Sequence, residues 1–280
     1  ESLYYLGELY LDQGKYQQAE PCYLRALAIW ENPSGTGRVN TAQGLANTLN
    51  DLALLYNEMG RFEQVEALHQ RALHIQETQL GPDHPDTAES LSSLAALLYK
   101  RQGNYERAEQ LLRRAVQIRE QALGTEHPLL ANSLGILARL LTLQERYVEA
   151  EPLHQRALHI REEIYGPEYP DTAFSLNDLA VFYERQGKYE QAEHLFLRAL
   201  QIREQGLGLA HPYVARSLAR LAQFYQARGQ LKRAEPLVAR ALAIFEQTLG
   251  PDHRETIQAR ESYTQLLQAL PPGKIRPETL

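Results

Sequence analysis

The sequence contains a single cysteine, and it also lacks long apolar runs and any excess of basic residues. Cys22 cannot form a disulfide within the chain, and a zinc site built from several cysteines is excluded. No apolar run approaches the 18 or more residues of a membrane-spanning helix, so we expect no membrane partner. The net charge is −6 with both signs interspersed, which argues against nucleic acid because such binding requires a basic surface.

Motifs of catalysis are absent as well: there is no P-loop, dinucleotide-binding glycine pattern or nucleophile elbow. His69 with His74, and His154 with His159, lie five residues apart, which turns the two side chains of a helix about 140° from each other. Further histidines recur in the linkers, at His84, His127, His211 and His253. One repeat step is on the order of 10 Å, so these four cannot share an ion. We therefore expect no enzyme activity, no metal and no cofactor.

What the sequence does contain is an internal repeat. One alanine recurs at spacings of 46, 43, 42, 42 and 42 residues, at Ala26, Ala72, Ala115, Ala157, Ala199 and Ala241. Each copy has two stretches with apolar residues at helical spacing. The first stretch ends at a glycine in five copies, which suits the left-handed backbone that closes a tight turn. The fourth copy has Glu145 there, so its turn should be strained or differently shaped.

The predicted architecture is all-α, with six helical hairpins followed by one capping helix. The repeats cover about 1–31, 45–80, 88–123, 131–165, 173–207 and 215–249, the cap covers 255–270, and 271–280 is expected to be a loose tail. Linkers such as Gly81–Pro85 stop one helix at Gly and start the next at Pro. The first linker, at 32–37, is four residues longer. The third copy has one extra residue between Ala95 and Gly103, which a widened turn or a bulge should absorb.

These motifs resemble tetratricopeptide repeats, in the 42-residue variety of kinesin light chains and their bacterial relatives. The resemblance is carried by Leu49–Ala53, Leu176–Ala180, Arg198–Glu204 and Gly81–Pro85. It implies a right-handed α-α superhelical solenoid whose first helices line a concave groove, where kinesin light chains hold extended cargo peptides. The sequence starts in mid-pattern at Glu1, so we also expect a segment of a longer protein.

Residue types that occur in every copy are interpreted as architectural. One set is Glu20, Glu66, Glu109, Glu151, Glu193 and Glu235. The other is Arg25, Arg71, Arg114, Arg156, Arg198 and Arg240. We expect both sets to form pairs at or near the junctions between repeats.

Residue types that vary on the first helices are candidates for recognition. The candidate peptide-binding residues are Asn47, Asn50, Ser92, Asn132, Arg139, Asn177, Arg216 and Arg220. An Asn side chain both donates and accepts, as a peptide backbone requires. By the resemblance, Asn50 and Asn177 match the Asn with which kinesin light chains grip a peptide main chain. The alternative is that these Asn side chains only cap or solvate a helix.

Charge on the first helices is uneven, with acids in the first three repeats and arginines in the last three. The acids of the first three repeats are Glu1, Glu8, Asp51, Glu58 and Glu89, and the last three repeats carry Arg139, Arg185, Arg216 and Arg220 against Asp178 and Glu184. This predicts a partner whose acidic part lies over repeats four to six and whose basic part lies over repeats one to three. The alternative is a solvated face with no selected polarity.

The function that these observations favour is a scaffold that holds a protein or an extended peptide in its groove. A second hypothesis is a regulatory or sensor arm of a larger signalling NTPase or protease. A third is a structural spacer that stacks end to end through Leu3, Leu6 and Leu9. We expect a cytoplasmic protein, monomeric as an isolated fragment.

Overall fold

The computed structural model describes residues 2–31, 41–99 and 103–270, and within them it contains thirteen α-helices and no strand. The first eight are α1 (Ser2–Asp12), α2 (Tyr16–Glu31), α3 (Thr41–Glu58), α4 (Phe62–Gln79), α5 (Pro85–Leu97), α6 (Tyr105–Leu123), α7 (Pro128–Leu143) and α8 (Tyr147–Tyr165). The others are α9 (Thr172–Arg185), α10 (Tyr189–Leu207), α11 (Pro212–Ala227), α12 (Leu231–Thr248) and α13 (Arg254–Ala269). The helices form six hairpins and a final single helix, which confirms the predicted fold class. The long first linker and the tail at 271–280 lie outside the described residues.

The chain divides into two compact units, and the first ends at Pro167. This unit holds four hairpins, α1 to α8, and each second helix packs on the first helix of the next hairpin. First helices of neighbouring hairpins also contact each other directly. Small buried residues allow these contacts: Ala53 and Ala72 are both fully buried.

The second unit begins at Glu168 and holds two hairpins, α9 to α12, with α13 packed on α12. Its core is one cluster in which Phe196, Phe224 and Val238 are buried. Leu266 of α13 belongs to the same cluster, so the last helix covers the apolar end of the sixth hairpin. Within this unit α13 has the capping role expected from the sequence. That residues 1–270 form one solenoid domain stays a prediction.

Five of the hairpin turns have a glycine with positive φ, and the fourth uses Glu145 with φ of 60°. Its turn is closed by a bond from the Arg146 amide to the Leu141 carbonyl at 3.0 Å, as Lys188 bonds to Tyr183 at 2.9 Å in the fifth hairpin. The left-handed conformation costs a non-glycine residue about 1–2 kcal/mol. The turn thus has the same shape as the others, so the alternative of a different shape is wrong, and the predicted slight strain follows from the left-handed φ of Glu145.

The third hairpin accommodates its extra residue at the end of its first helix. Leu98 and Tyr99 form a π-type turn directly after α5. The Asn104 amide bonds to the Leu98 carbonyl at 3.2 Å, which is six residues back instead of five. The closing bond thus spans one residue more than in the other hairpins, as the predicted widened turn requires.

The linker histidines are helix caps. In each case Nδ1 accepts a hydrogen bond from the backbone amide two residues later, as for His127 and Leu129 at 3.1 Å. The same cap begins α5, α11 and α13, at His84, His211 and His253. Such a bond satisfies one of the amides that a helix start leaves unpaired.

At least eight of the twelve repeated Glu and Arg residues form ion pairs across hairpin junctions, with partners outside the two sets. Glu20 and Glu193 pair with an arginine near the turn of the next hairpin, Arg61 and Arg233 respectively. The repeated arginines pair with a glutamate late in the second helix of the preceding hairpin. These pairs are Arg71–Glu31, Arg114–Glu77, Arg156–Glu120 and Arg240–Glu204. Their side chains are all partly exposed to solvent, so each pair contributes at most about 1 kcal/mol.

Candidate functional site

The candidate residues lie on the first helices of the hairpins, and the two units are described separately. We call the surface around Asn47, Asn50, Asn132 and Arg139 the unit 1 face, on α3 and α7. We call the surface around Asn177, Arg216 and Arg220 the unit 2 face, on α9 and α11.

Asn50 uses its amide inside the scaffold. Its Nδ2 donates to the Ser90 hydroxyl at 2.9 Å, and its Oδ1 lies 3.0 Å from Nδ1 of His69. Burial lowers the pKa of His69 to about 4, so the ring is neutral and donates from Nδ1 to Asn50. The side chain therefore links α3 to α4 and α5. The arrangement favours the structural interpretation of Asn50 over a grip on a peptide.

Ser92 is inaccessible: only 1% of it is exposed. Its hydroxyl donates to the Ala88 carbonyl one turn earlier at 2.8 Å and lies 3.5 Å from the Ser133 hydroxyl. The expectation that Ser92 contacts a peptide is corrected on this ground, because its position faces the packed interior between first helices.

The other members of the unit 1 face differ in how accessible they are. Asn132 is exposed, and its Oδ1 accepts a hydrogen bond from Nη2 of the buried Arg161 at 2.5 Å. Asn47 is half-buried, as is Arg139. The Arg139 charge is close enough to His154 to help burial hold the pKa of that histidine near 4.

On the unit 2 face, Asn177 is half-buried and bonds to its own helix. Nδ2 donates to the Ala173 carbonyl at 2.9 Å. Its Oδ1 is buried without a partner among the described residues. The position that His69 occupies in the second hairpin is Phe196 in the fifth, and a phenyl ring cannot donate to this oxygen.

Arg216 carries a charge that α13 neutralises. Its Nε and Nη2 donate to the two carboxylate oxygens of Glu255, at 2.7 and 2.9 Å. Burial lowers the pKa of Arg216, but the Glu255 carboxylate raises it by more, so the pKa lies above its usual value. The guanidinium also lies over the Tyr213 ring at 4.8 Å. The sequence did not indicate this pairing because Glu255 is 39 residues away.

Arg220 lies between two cavities of the second unit. One, of about 320 Å³, is lined by Val181, Glu184, Arg185, Tyr189, Arg220, Ala227 and Arg228. The other, of about 220 Å³, is lined by α11, α12 and α13 and includes Arg216, Arg220, Gln223 and Glu255. Arg220 is about one third exposed, and its ion pair with Glu184 is long at 3.4 Å.

The larger cavity has a strong excess of positive charge, because three guanidinium groups face it against one carboxylate. Arg228 stacks on the Tyr189 ring at 3.6 Å, which fixes its side chain at the rim. Sequence reasoning did not select Arg228 or Tyr189. Both lie at a hairpin turn, outside the first-helix positions that were compared between repeats.

Buried arginines are a further feature that the sequence interpretation missed. Arg119, Arg161 and Arg203 occupy one equivalent position in the second helices of three successive hairpins, and all are less than 10% exposed. Each follows the isoleucine of the repeated motif, so the repeat itself could have identified them.

In the described part of the chain, no group of three or more His, Cys, Asp or Glu side chains could hold a metal ion. Across the same residues, no helix has the length and apolar character needed to cross a bilayer.

Helical hairpins that pack on one another in succession define a repeat scaffold of the protein-interaction type. The chain belongs to the tetratricopeptide repeat family: one family model of this repeat matches residues 44–121, 96–158 and 129–205. Two further models of the same repeat match residues 214–255 and 1–33. Comparison with curated proteins gave no match.

Solved structures agree with this assignment. BtubC (BKLC) from P. vanneervenii is 22% identical, with a TM-score of 0.62 over 95% of this chain and 97% of that one. Repeats described as a kinesin light chain from Podosopora anserina are 28% identical, with a TM-score of 0.56 over 75% and 98%. A Rap protein complexed with Competence and Sporulation Factor is 16% identical, with a TM-score of 0.63 over 95% and 74%. The predicted resemblance to repeats of the kinesin-light-chain type is confirmed.

Proposed function

We propose that the chain is a protein-binding scaffold, and that its unit 2 face holds an acidic, extended segment of a partner protein. The observation that carries the proposal is the larger cavity beside Arg220, with three guanidinium groups and one carboxylate. Guanidinium groups bind carboxylates through paired, charge-assisted hydrogen bonds. Two cavities separated by one arginine also suit a segment that places successive side chains in both.

An extended ligand is supported by the two cavities of unit 2, because both are lined by residues of α11 and a single segment could reach both. A Rap protein of the same fold was solved in complex with Competence and Sporulation Factor. We propose no catalytic role for the chain. That the first three repeats hold a basic segment stays a prediction. Glu89, one of the acids behind it, already pairs with Arg119.

Binding can be tested with a fluorescein-labelled twelve-residue peptide of alternating Glu and Ser, followed by fluorescence anisotropy at 50 and 200 mM salt. The variant Arg220→Glu removes the cation between the cavities, and we expect about tenfold weaker binding. The control Lys232→Glu makes the same charge change on α12, at an exposed residue that lines neither cavity. We expect the control to lose less than twofold.

A Lys and Ser peptide of equal length measures the preference for acid over base. Two results would refute the proposal. One is equal binding by wild type and Arg220→Glu. The other is equal weakening by Arg220→Glu and Lys232→Glu, because binding would then depend on net charge and not on this face.

A further inference from the structure

Three successive second helices carry a buried arginine at one position, which allows the same interaction to be compared between hairpins. In the third hairpin, Nη1 of Arg119 donates to the Leu129 carbonyl at 2.9 Å and to the Ser133 hydroxyl at 2.8 Å. Nη2 of Arg119 pairs with the carboxylate of Glu89, on the first helix of the same hairpin. The buried charge therefore has a counter-ion at the edge of the first-helix face.

Arg203 in the fifth hairpin keeps the hydrogen bonds to a carbonyl and a serine hydroxyl but lacks the carboxylate partner. Its Nη1 donates to the Tyr213 carbonyl at 3.4 Å and to the Ser217 hydroxyl at 2.8 Å. The residue equivalent to Glu89 is Phe174, which offers no carboxylate. Among the described residues, none forms an ion pair with Arg203, although only 4% of it is exposed.

Two aromatic rings contact the Arg203 guanidinium, and one of them, Phe174, has the position that Glu89 has in the third hairpin. The guanidinium carbon of Arg203 lies 4.5 Å from the Phe174 ring centroid and 5.5 Å from the Tyr213 ring centroid. The two rings meet edge to face at 5.3 Å. Phe174 is 38% exposed, so one side of it covers Arg203 and the other side faces solvent.

The charges around Arg203 act on it in both directions. Arg216 opposes its charge, and the carboxylates of Asp171 and Asp178 favour it, but burial is the largest effect. Burial lowers the pKa of Arg203 to about 10, so the group stays charged at neutral pH. A buried cation without a counter-ion is unfavourable, and a carboxylate that reached it would gain more than at an exposed arginine.

We propose that Arg203 is a concealed receptor for one carboxylate of the acidic partner, which takes the place that Glu89 holds beside Arg119. Phe174 is the cover of this receptor. The inference rests on the proposed function of the unit 2 face, and it adds one defined subsite to it. Arg119 would not serve in this way, because its counter-ion is already part of the chain.

The first experiment needs no partner and compares Phe174→Glu with Phe174→Gln. These variants have the same shape, and only the first supplies a carboxylate. We expect Phe174→Glu to melt about 3 °C higher than Phe174→Gln at pH 7, because the new carboxylate pairs with Arg203. The matched change Glu89→Gln should lower the melting temperature by a similar amount.

The second experiment uses Phe174→Ala, which removes the cover without changing charge. With the acidic peptide probe described above, we expect this variant to bind about fivefold more tightly than wild type. Binding of the Lys and Ser peptide should not change. Circular dichroism of the variant confirms that its helices are intact.

The proposal is wrong if Phe174→Glu melts no higher than Phe174→Gln. It is also wrong if Phe174→Ala binds the acidic peptide no more tightly than wild type. Phe174 would then stabilise Arg203 through the cation–π contact without covering a binding site. Neither result affects the proposed function, which Arg220→Glu tests at a different residue.

Discussion

The buried histidine of the fourth hairpin should make the fold sensitive to mild acid. His154 is 2% exposed, and its Nε2 lies 3.1 Å from the Thr142 hydroxyl. That hydroxyl donates to the Ala138 carbonyl at 2.7 Å, so it accepts from His154, whose Nε2 carries the proton. Burial first, and the Arg139 charge second, lower the pKa of His154 from 6.5 to about 4.

The sign and size of the effect follow from linkage. Between pH 6.5 and 4 the unfolded chain binds a proton at His154 and the folded chain does not, so the free energy of unfolding rises with pH. For these two pKa values the loss between pH 7 and pH 5 is about 2 kcal/mol, and it approaches about 3 kcal/mol near pH 4. His69 should add a loss of similar size, because burial gives it the same pKa.

The perturbation that isolates this effect is His154→Leu, since leucine occupies the equivalent position in the third hairpin as Leu112. Thr142 keeps its bond to Ala138 in this variant, so no hydroxyl is left unpaired. Urea unfolding followed by circular dichroism at pH 7 and pH 5 gives the free energy of unfolding at each pH. We expect the difference between the two to be about 2 kcal/mol smaller in His154→Leu than in wild type.

His159 provides the control, because it is exposed and lies on the same helix. The variant His159→Leu should keep the pH dependence of wild type. If His154→Leu also keeps it, the reasoning fails, and the acid sensitivity must arise elsewhere.

Three more predictions concern stability at neutral pH, each measured by urea or thermal unfolding. Glu145→Gly should stabilise by about 1 kcal/mol, because glycine adopts the left-handed turn without the steric cost, and no gain would contradict the strain inferred there. Gly7→Ala should destabilise by about 1–3 kcal/mol, because its Cβ would lie 2.8 Å from a Tyr23 ring carbon; adding Tyr23→Leu should restore most of the loss. His127→Ala should cost about 1 kcal/mol through its lost cap, while His127→Asp should keep most of the stability, and equal losses would exclude capping.

Much of the fold could be predicted because each structural requirement of the hairpin recurs in the sequence at the same position of every repeat. Alanines such as Ala72 and Ala157 recur where helices approach closely, and all six of that set are buried. The glycine at each hairpin turn marks a left-handed residue, and the exception at Glu145 adopts the same backbone. A local requirement that is repeated six times can be inferred without knowing any long-range contact.

The site was harder to predict, because side-chain polarity does not report exposure on a helix. Ser92 is polar yet buried, since its hydroxyl bonds to the carbonyl one turn earlier and needs no solvent. Asn50 has its hydrogen bonds taken by His69 and Ser90, residues that are 19 and 40 positions away. Whether a polar side chain is available to a ligand depends on such distant partners, which spacing along the chain does not show.

The charged residues illustrate the same limit. Positive charge on α11 was predicted, but Glu255 takes up the Arg216 charge. The cation-rich cavity is lined by Arg185 and Arg220, which the charge pattern indicated, and by Arg228, which lies at the next turn and was not indicated. Comparison between copies of the repeat becomes informative about the site once the contacts are known. Phe174 takes the place of Glu89, and this difference matters because the side chain at that position lies beside a buried arginine.

The turn of the third hairpin has a consequence for how such chains can vary in length. Its closing bond reaches six residues back instead of five, and the helices on both sides keep their packing partners. An insertion at this point therefore stays local and does not shift the register of any neighbouring hairpin. Hairpins of 42 and 43 residues should therefore be interchangeable as building blocks.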